Sequence, residues 1–256
     1  MRCRCFFFNG PATTEIYTLS LHELFRSLTW YSAFYNKVTD CGCFGDAIKL
    51  TPWETFNKNV VLIVLIGFLI YSKKHLKSLF STNALRWVSL GSLMVFMYIT
   101  YHVLVHLPII DFRPYAIGKN IQQGMTEIAV DGLPKVHDFY LETNGGDDLT
   151  DEILNKEKVM FVVVYDLDIA DLNGFENVKK ATDLALENGY SVYGLSASYI
   201  DDLNDLNKKS ELNFEWLFVD ATVLKTIIRA NPGVLTLNKG TVTGKWNWVD
   251  VDGFKP

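Results

Sequence analysis

Two long apolar runs follow one another between residues 52 and 107, joined by a basic connector, and this feature restricts the chain more than any other. The first run opens with Thr51-Pro52-Trp53-Glu54. There Thr51 can cap a helix, Pro52 suits its first position and Glu54 can complete a capping box. At about 1.5 Å per residue, residues 52–71 rise about 30 Å, the thickness of a hydrocarbon core. Lys73, Lys74, His75 and Lys77 mark the end. The second run, residues 84–107, has no charge after Arg86 and stops at Pro108, Asp111, Arg113 and Pro114. Its rise of about 36 Å allows a crossing with some tilt. A buried hairpin in a large soluble core is the plain alternative, but two such runs with a basic connector favour a membrane.

Composition agrees with a divided chain. It is 49% hydrophobic with a net charge of -5, and most acidic residues lie in 119–256, which reads as a soluble domain. No basic stripe with interleaved aromatics occurs there, so nucleic acid is not an expected partner. The connector holds Lys73, Lys74, Lys77 and Arg86, so the positive-inside rule places it in the cytoplasm. A multi-pass protein of the inner (cytoplasmic) membrane follows, with its C-terminal domain in the periplasm and the lipid bilayer as its first partner.

The four cysteines are Cys3, Cys5, Cys41 and Cys43, and none lies in the soluble half. A disulfide framework or a paired-CxxC zinc site is thereby excluded for that half, and no metal site is expected. Cys41-Gly42-Cys43 places two thiols one residue apart on the outer side. As a redox pair, one thiolate attacks a partner disulfide and the other resolves the mixed disulfide. As a soft-metal grip, the pair needs further ligands from elsewhere. The bland alternative is a turn whose cysteines are small buried residues.

Tyr31-Ser32-Ala33 and the stretch from Asn36 to Glu54, with Asp40-Cys41-Gly42-Cys43-Phe44-Gly45-Asp46 at its centre, resemble the DoxX and MauE group of membrane proteins in the form typical of Bacteroidetes. The resemblance implies part of a four-helix membrane bundle over residues 31–110, with spans near 52–71 and 84–107. It also implies respiratory or thiol redox traffic, since DoxX-type proteins are associated with quinone-linked thiosulfate oxidation and MauE with disulfide maturation of methylamine dehydrogenase. A quinone is therefore the cofactor considered. Residues 1–30 lack the long apolar helices of that family and read as an atypical start, truncated or interfacial.

After a linker at 111–132, the soluble part reads as an α/β domain over 133–256. Strand patterns at 158–165 and 191–197 flank a helical pattern at 174–188, a βαβ unit. A polar helix near 200–209, a strand at 216–219 and an amphipathic helix at 222–230 follow. Asn231-Pro232-Gly233 then leads into a hairpin of strands 234–237 and 241–248, turned at Asn238-Lys239-Gly240. A proline between helix and hairpin in this order resembles the cis-proline of thioredoxin-like proteins. Residues 133–141, with a turn at Asn144-Gly145-Gly146, resemble the opening hairpin of the TlpA-type branch. That family carries its CxxC after the first central strand, but here Tyr165-Asp166-Leu167-Asp168-Ile169-Ala170-Asp171 stands in its place. The resemblance therefore implies a fold and a binding corner at Asn231, Pro232 and Gly233, without catalytic thiols. The aspartates lack the glycine and distal glutamate of a calcium loop, so a solvated acidic loop is the better reading.

His102 and His106 lie four apart near the outer end of the second span, on one helical face. A quinone, a metal or each other are the contacts open to them, against two hydrogen-bonded interfacial histidines. Trp246 and Trp248 alternate along the last strand and are expected to pack against sheet and membrane surface rather than form a ligand cage. The expectation is an oxidoreductase component in which Cys41 and Cys43 exchange electrons with a quinone or a periplasmic thiol protein. The alternative is a non-enzymatic scaffold whose thioredoxin-like domain binds a client or a respiratory-complex subunit.

Overall fold

A computed structural model describes residues 30, 31, 33–35, 50–72, 81–129 and 132–256. The chain divides into two compact units, Met1–Phe80 and Ser81–Pro256.

In the first unit the capping box forms. The backbone N–H of Thr51 donates to Glu54 Oε2 at 2.8 Å, the N–H of Glu54 donates to Thr51 Oγ1 at 3.3 Å, and helix α1 runs over Pro52–Ser72. Two of the orphan donors of a helix start are thus satisfied reciprocally.

The second unit opens with helix α2, Thr82–Val105, capped by Ser81, whose hydroxyl accepts from the N–H of Ala84 at 3.3 Å. None of its residues is buried, and among the described residues it is the one helix long and apolar enough to cross a membrane. It ends two residues before the expected Leu107, because His106 turns into extended backbone. A four-helix membrane bundle is not seen among the described residues.

Short helices α3 (Ile121–Thr126) and α4 (Thr150–Leu154) precede strand β1, Val159–Val164. Helix α5 (Gly174–Glu187), strand β2 (Ser191–Ser196), helix α6 (Ile200–Ser210), strand β3 (Glu215–Phe218) and helix α7 (Ala221–Ile227) follow, and strands β4 (Gly233–Asn238) and β5 (Thr241–Asn247) close the sheet. The sheet order is β3-β2-β1-β4-β5, with β1, β2 and β3 parallel and β4 antiparallel to both β1 and β5.

Six consecutive apolar residues make β1 the central strand, because both its faces are covered and all six side chains are buried. Val159, Phe161 and Val163 face a core with Leu235 and Leu237 of β4 and with Tyr115, Ile121, Phe139, Leu141 and Ile153 from upstream. Met160, Val162 and Val164 face the other core, with Phe175, Val178 and Ala185 of α5 and Leu203 and Leu206 of α6. The period-two alternation of the strand thus meets the three-and-four spacing of the helices. Trp246 and Trp248 are partly buried and pack on this second core.

Helix α7 is capped by Asp220, whose Oδ1 accepts from the N–H of Thr222 at 2.7 Å. That backbone donor holds the Asp220 carboxyl below its ordinary range. The helix stops at Ile227 rather than at Ala230, and the guanidinium of Arg113 donates to its terminal carbonyls at Lys225 (2.6 Å) and Thr226 (3.1 Å). The β4–β5 turn falls on Lys239 and Gly240, both at positive φ, the backbone a two-residue hairpin demands.

Two expectations differ upstream. The opening hairpin of 133–141 is reduced to isolated bridges, Ile128 with Pro134 and Glu142 with Asp148, since Phe139 and Leu141 are drawn under the sheet. The segment read as a linker contributes α3 and the buried Tyr115 and Ile121 to the core. Burial lifts the Tyr115 hydroxyl well above its ordinary pKa, and the neighbouring Asp138 charge adds to it.

Candidate functional site

The corner before β4 is built by one cis bond and two hydrogen bonds. The Asn231–Pro232 peptide is cis. Asn231 Nδ2 donates to the carbonyl of Asp166 at 2.6 Å, and the carbonyl of Asn231 accepts from the N–H of Asp171 at 3.0 Å. The loop of residues 166–171 that follows β1 is therefore tied at both ends to the cis-proline corner. Pro232 and Gly233 are buried, and a Cβ at Gly233 would stand 2.7 Å from Ile228 Cδ1, so a larger residue there requires the Ile228 side chain to shift.

The aspartates of that loop cap their own turns. Asp166 Oδ1 accepts from the N–H of Asp168 at 3.1 Å, and Asp171 Oδ1 accepts from the N–H of Asn173 at 3.1 Å. Among the described residues no group of three or more histidine, cysteine or acidic side chains gathers as a metal site. Beside the loop, at the carboxyl ends of β1 and β2 where open α/β sheets present their crevice, lies a hollow of about 620 Å³. Asp166, Asp168, Asp202 and Asp205 line it together with Tyr199 and Lys209.

A second constellation joins the end of α2 to the last strand. Asn247 Nδ2 donates to the carbonyl of Val105 at 2.8 Å, satisfying one of the orphan carbonyls of that helix. His106 Nδ1 lies 2.8 Å from Asp250 Oδ1 and 2.9 Å from Oδ2. Lys245 Nζ donates to Asp111 Oδ2 at 2.6 Å. The Lys245 side chain is only 6% exposed, and burial lowers its pKa while Asp111 opposes that shift. Sequence reading singled out the histidines but missed Asp111, Lys245, Asn247 and Asp250. For Lys245 and Asn247 the signal was a polar residue at alternate positions of β5, while Asp111 and Asp250 lie off the strand and gave none.

His102 and His106 do meet, with ring centroids 4.9 Å apart, and His106 is hydrogen-bonded to Asp250. Asn231, Pro232 and Gly233 form a corner elsewhere in the same unit. Cys41 and Cys43 lie outside the described residues.

A mixed five-stranded sheet in this order, with helices on both faces and a cis-proline ahead of β4, resembles the thioredoxin fold over about half of the chain. No family model matches the chain, and no curated protein does. Among solved structures, it is similar to a thiol:disulfide interchange protein from a Bacteroides species at 12% identity and a TM-score of 0.34, over 41% of this chain and 74% of that one. The thioredoxin domain of a thiol-disulfide oxidoreductase from Bacteroides vulgatus gives 12% identity and a TM-score of 0.33, over 42% and 81%. StoA from Bacillus subtilis gives 16% and 0.31, over 42% and 84%.

Proposed function

We propose that this chain is a membrane-anchored thiol-redox protein whose redox couple is Cys41 and Cys43, with the thioredoxin-like domain supplying docking and no thiols of its own. One observation carries the reading: a domain of this strand order, with a cis-proline, contains no cysteine, so thiol chemistry falls to the Cys-Gly-Cys pair ahead of α1. One thiolate attacks a partner disulfide, the second displaces the partner as a dithiol, and the pair is left oxidised. In the opposite direction a partner dithiol reduces the Cys41–Cys43 disulfide by thiol exchange and leaves as a disulfide, and the dithiol so formed gives two electrons and two protons to a quinone, which leaves as the quinol. The chain crosses the inner membrane more than once, with its basic connector in the cytoplasm and the cysteine pair and domain in the periplasm. The domain's partner is a thiol protein that meets the corner at Asn231, Pro232 and Gly233, alongside the tied loop.

Cys41→Ser and Cys43→Ser test this. Each variant inserts normally and loses quinone reduction and partner disulfide exchange; wild-type rates in both would end the redox reading. Pro232→Ala separates docking from chemistry, since it loses partner capture in a pull-down while the domain stays folded.

A second reading is favoured by the acidic, self-capped loop that fills the position of a reactive pair. In it the chain is a non-enzymatic scaffold that holds a client or a respiratory-complex subunit, and the cysteine variants lose at most stability.

A further inference from the structure

The linker that leaves α2 carries apolar side chains that the domain leaves uncovered. Ile109 is 85% exposed, Ile110 65%, Phe112 58% and Ile117 61%. Scattered exposed apolar residues mean little, but a contiguous group marks a binding or membrane surface. These are contiguous in part: Ile109, Ile110 and Ile117 line one hollow of about 310 Å³, with Arg113 and Arg229 in its wall.

Position decides what covers them. Ile109 and Ile110 are four and five residues past Val105, so at about 3.5 Å per extended residue they lie within about 18 Å of the end of α2. Nor can the domain swing freely away from that end. Asn247 holds the carbonyl of Val105, Asp250 holds His106, Lys245 holds Asp111, and Arg113 is fastened to the end of α7. If α2 crosses the bilayer, this face has to stay beside the headgroups at which it emerges. Apolar side chains with guanidinium groups beside them suit that layer, where hydrocarbon and phosphate lie a few ångströms apart.

We propose that this face of the thioredoxin-like domain lies on the bilayer, with Ile109, Ile110 and Ile117 in the headgroup layer and Arg229 against phospholipid phosphate. The inference rests on α2 as a membrane span. The domain is then a fixed surface module with α5, on the opposite face of the sheet, turned to the water.

The test uses the full chain in phospholipid nanodiscs, with Cys3, Cys5, Cys41 and Cys43 replaced by serine and a single nitroxide-labelled cysteine introduced by Ile109→Cys, Ile117→Cys, Met94→Cys or Glu187→Cys. Oxygen and a water-soluble nickel chelate serve as relaxants. The expected result is a lipid signature at Met94, an aqueous one at Glu187, and values between them at Ile109 and Ile117. A lipid signature at Met94 with aqueous values at Ile109 and Ile117 overturns the proposal and leaves the span intact. An aqueous Met94 overturns the span and the proposal with it. Amide hydrogen exchange on the unlabelled chain checks for disturbance by the label: protection over 109–117 in nanodiscs is expected to fall several-fold in Arg229→Glu, and unchanged exchange there contradicts the phosphate contact.

Discussion

Asn231 holds Asp166: its side-chain Nδ2 donates to the Asp166 carbonyl at 2.6 Å across 65 residues of sequence, fixing the acidic loop to the cis-proline corner. The contact is part-buried.

Removing it should loosen that loop without unfolding the sheet. Asn231→Ala is expected to cost about 0.5–1.5 kcal/mol, the usual net worth of one such hydrogen bond. Hydrogen exchange should quicken over 166–171 and stay unchanged in β1. Equal exchange over 166–171 in Asn231→Ala and the unaltered chain would mean the loop is held by something else.

Thr150 serves a buried donor. Its Oγ1 accepts from the backbone N–H of Leu141 at 2.8 Å and donates to Asp148 Oδ1. Thr150→Val keeps the shape and strands the Leu141 N–H, a loss of about 1–3 kcal/mol. Denaturant unfolding of the full chain in detergent measures it, and Thr150→Ser should recover most of the loss.

Gly194 pairs with Trp216 across β2 and β3, and a Cβ on it would stand 2.2 Å from Trp216 Cε3. The indole is held by its Nε1–H donating to Asn207 Oδ1 at 2.9 Å, so it yields poorly. Gly194→Ala is expected to destabilise by about 1–3 kcal/mol through overpacking, read as a lower unfolding midpoint.

Lys245 and Asp111 give a pH dependence with a definite sign. Burial lowers the folded-state pKa of Lys245 below the ordinary lysine value. Between the two values the unfolded chain binds more protons, so stability rises as pH climbs through that window and levels off above about 10.4. Asp111→Asn removes the group that keeps the lysine charged, widening the window downward. Its penalty at pH 7, about 3–5 kcal/mol for stranding a buried charge, should therefore shrink at alkaline pH. A penalty that grows with pH would contradict this.

What the sequence made legible follows from local rules. The run Val159–Val164 reads as a buried central strand because it has no polar face, and Thr51 with Glu54 reads as a helix start because the capping box needs only neighbours. The cis bond at Asn231–Pro232 was legible only through the resemblance to thioredoxin-like proteins, since a proline between helix and hairpin does not by itself fix the isomer. The contacts at the end of α2 were hidden for the opposite reason. His106 and Asp250 are 144 residues apart, and Asp111 and Lys245 are 134, so no spacing links them. Helices α3 and α4, at six and five residues, are too short to show a period, and the packing of Ile121 and Ile153 under the sheet decides them.

The central claim concerns Cys41 and Cys43, and thiol labelling tests it most directly. With Cys3 and Cys5 replaced by serine, intact cells are treated with a membrane-impermeant maleimide before and after mild reductant, and reduced membranes are then given a quinone. The account predicts that both thiols label from outside only after reduction and become refractory again once quinone is added. Thiols that label without reductant, or stay blocked after it, would contradict the redox couple and move the chain to the scaffold reading.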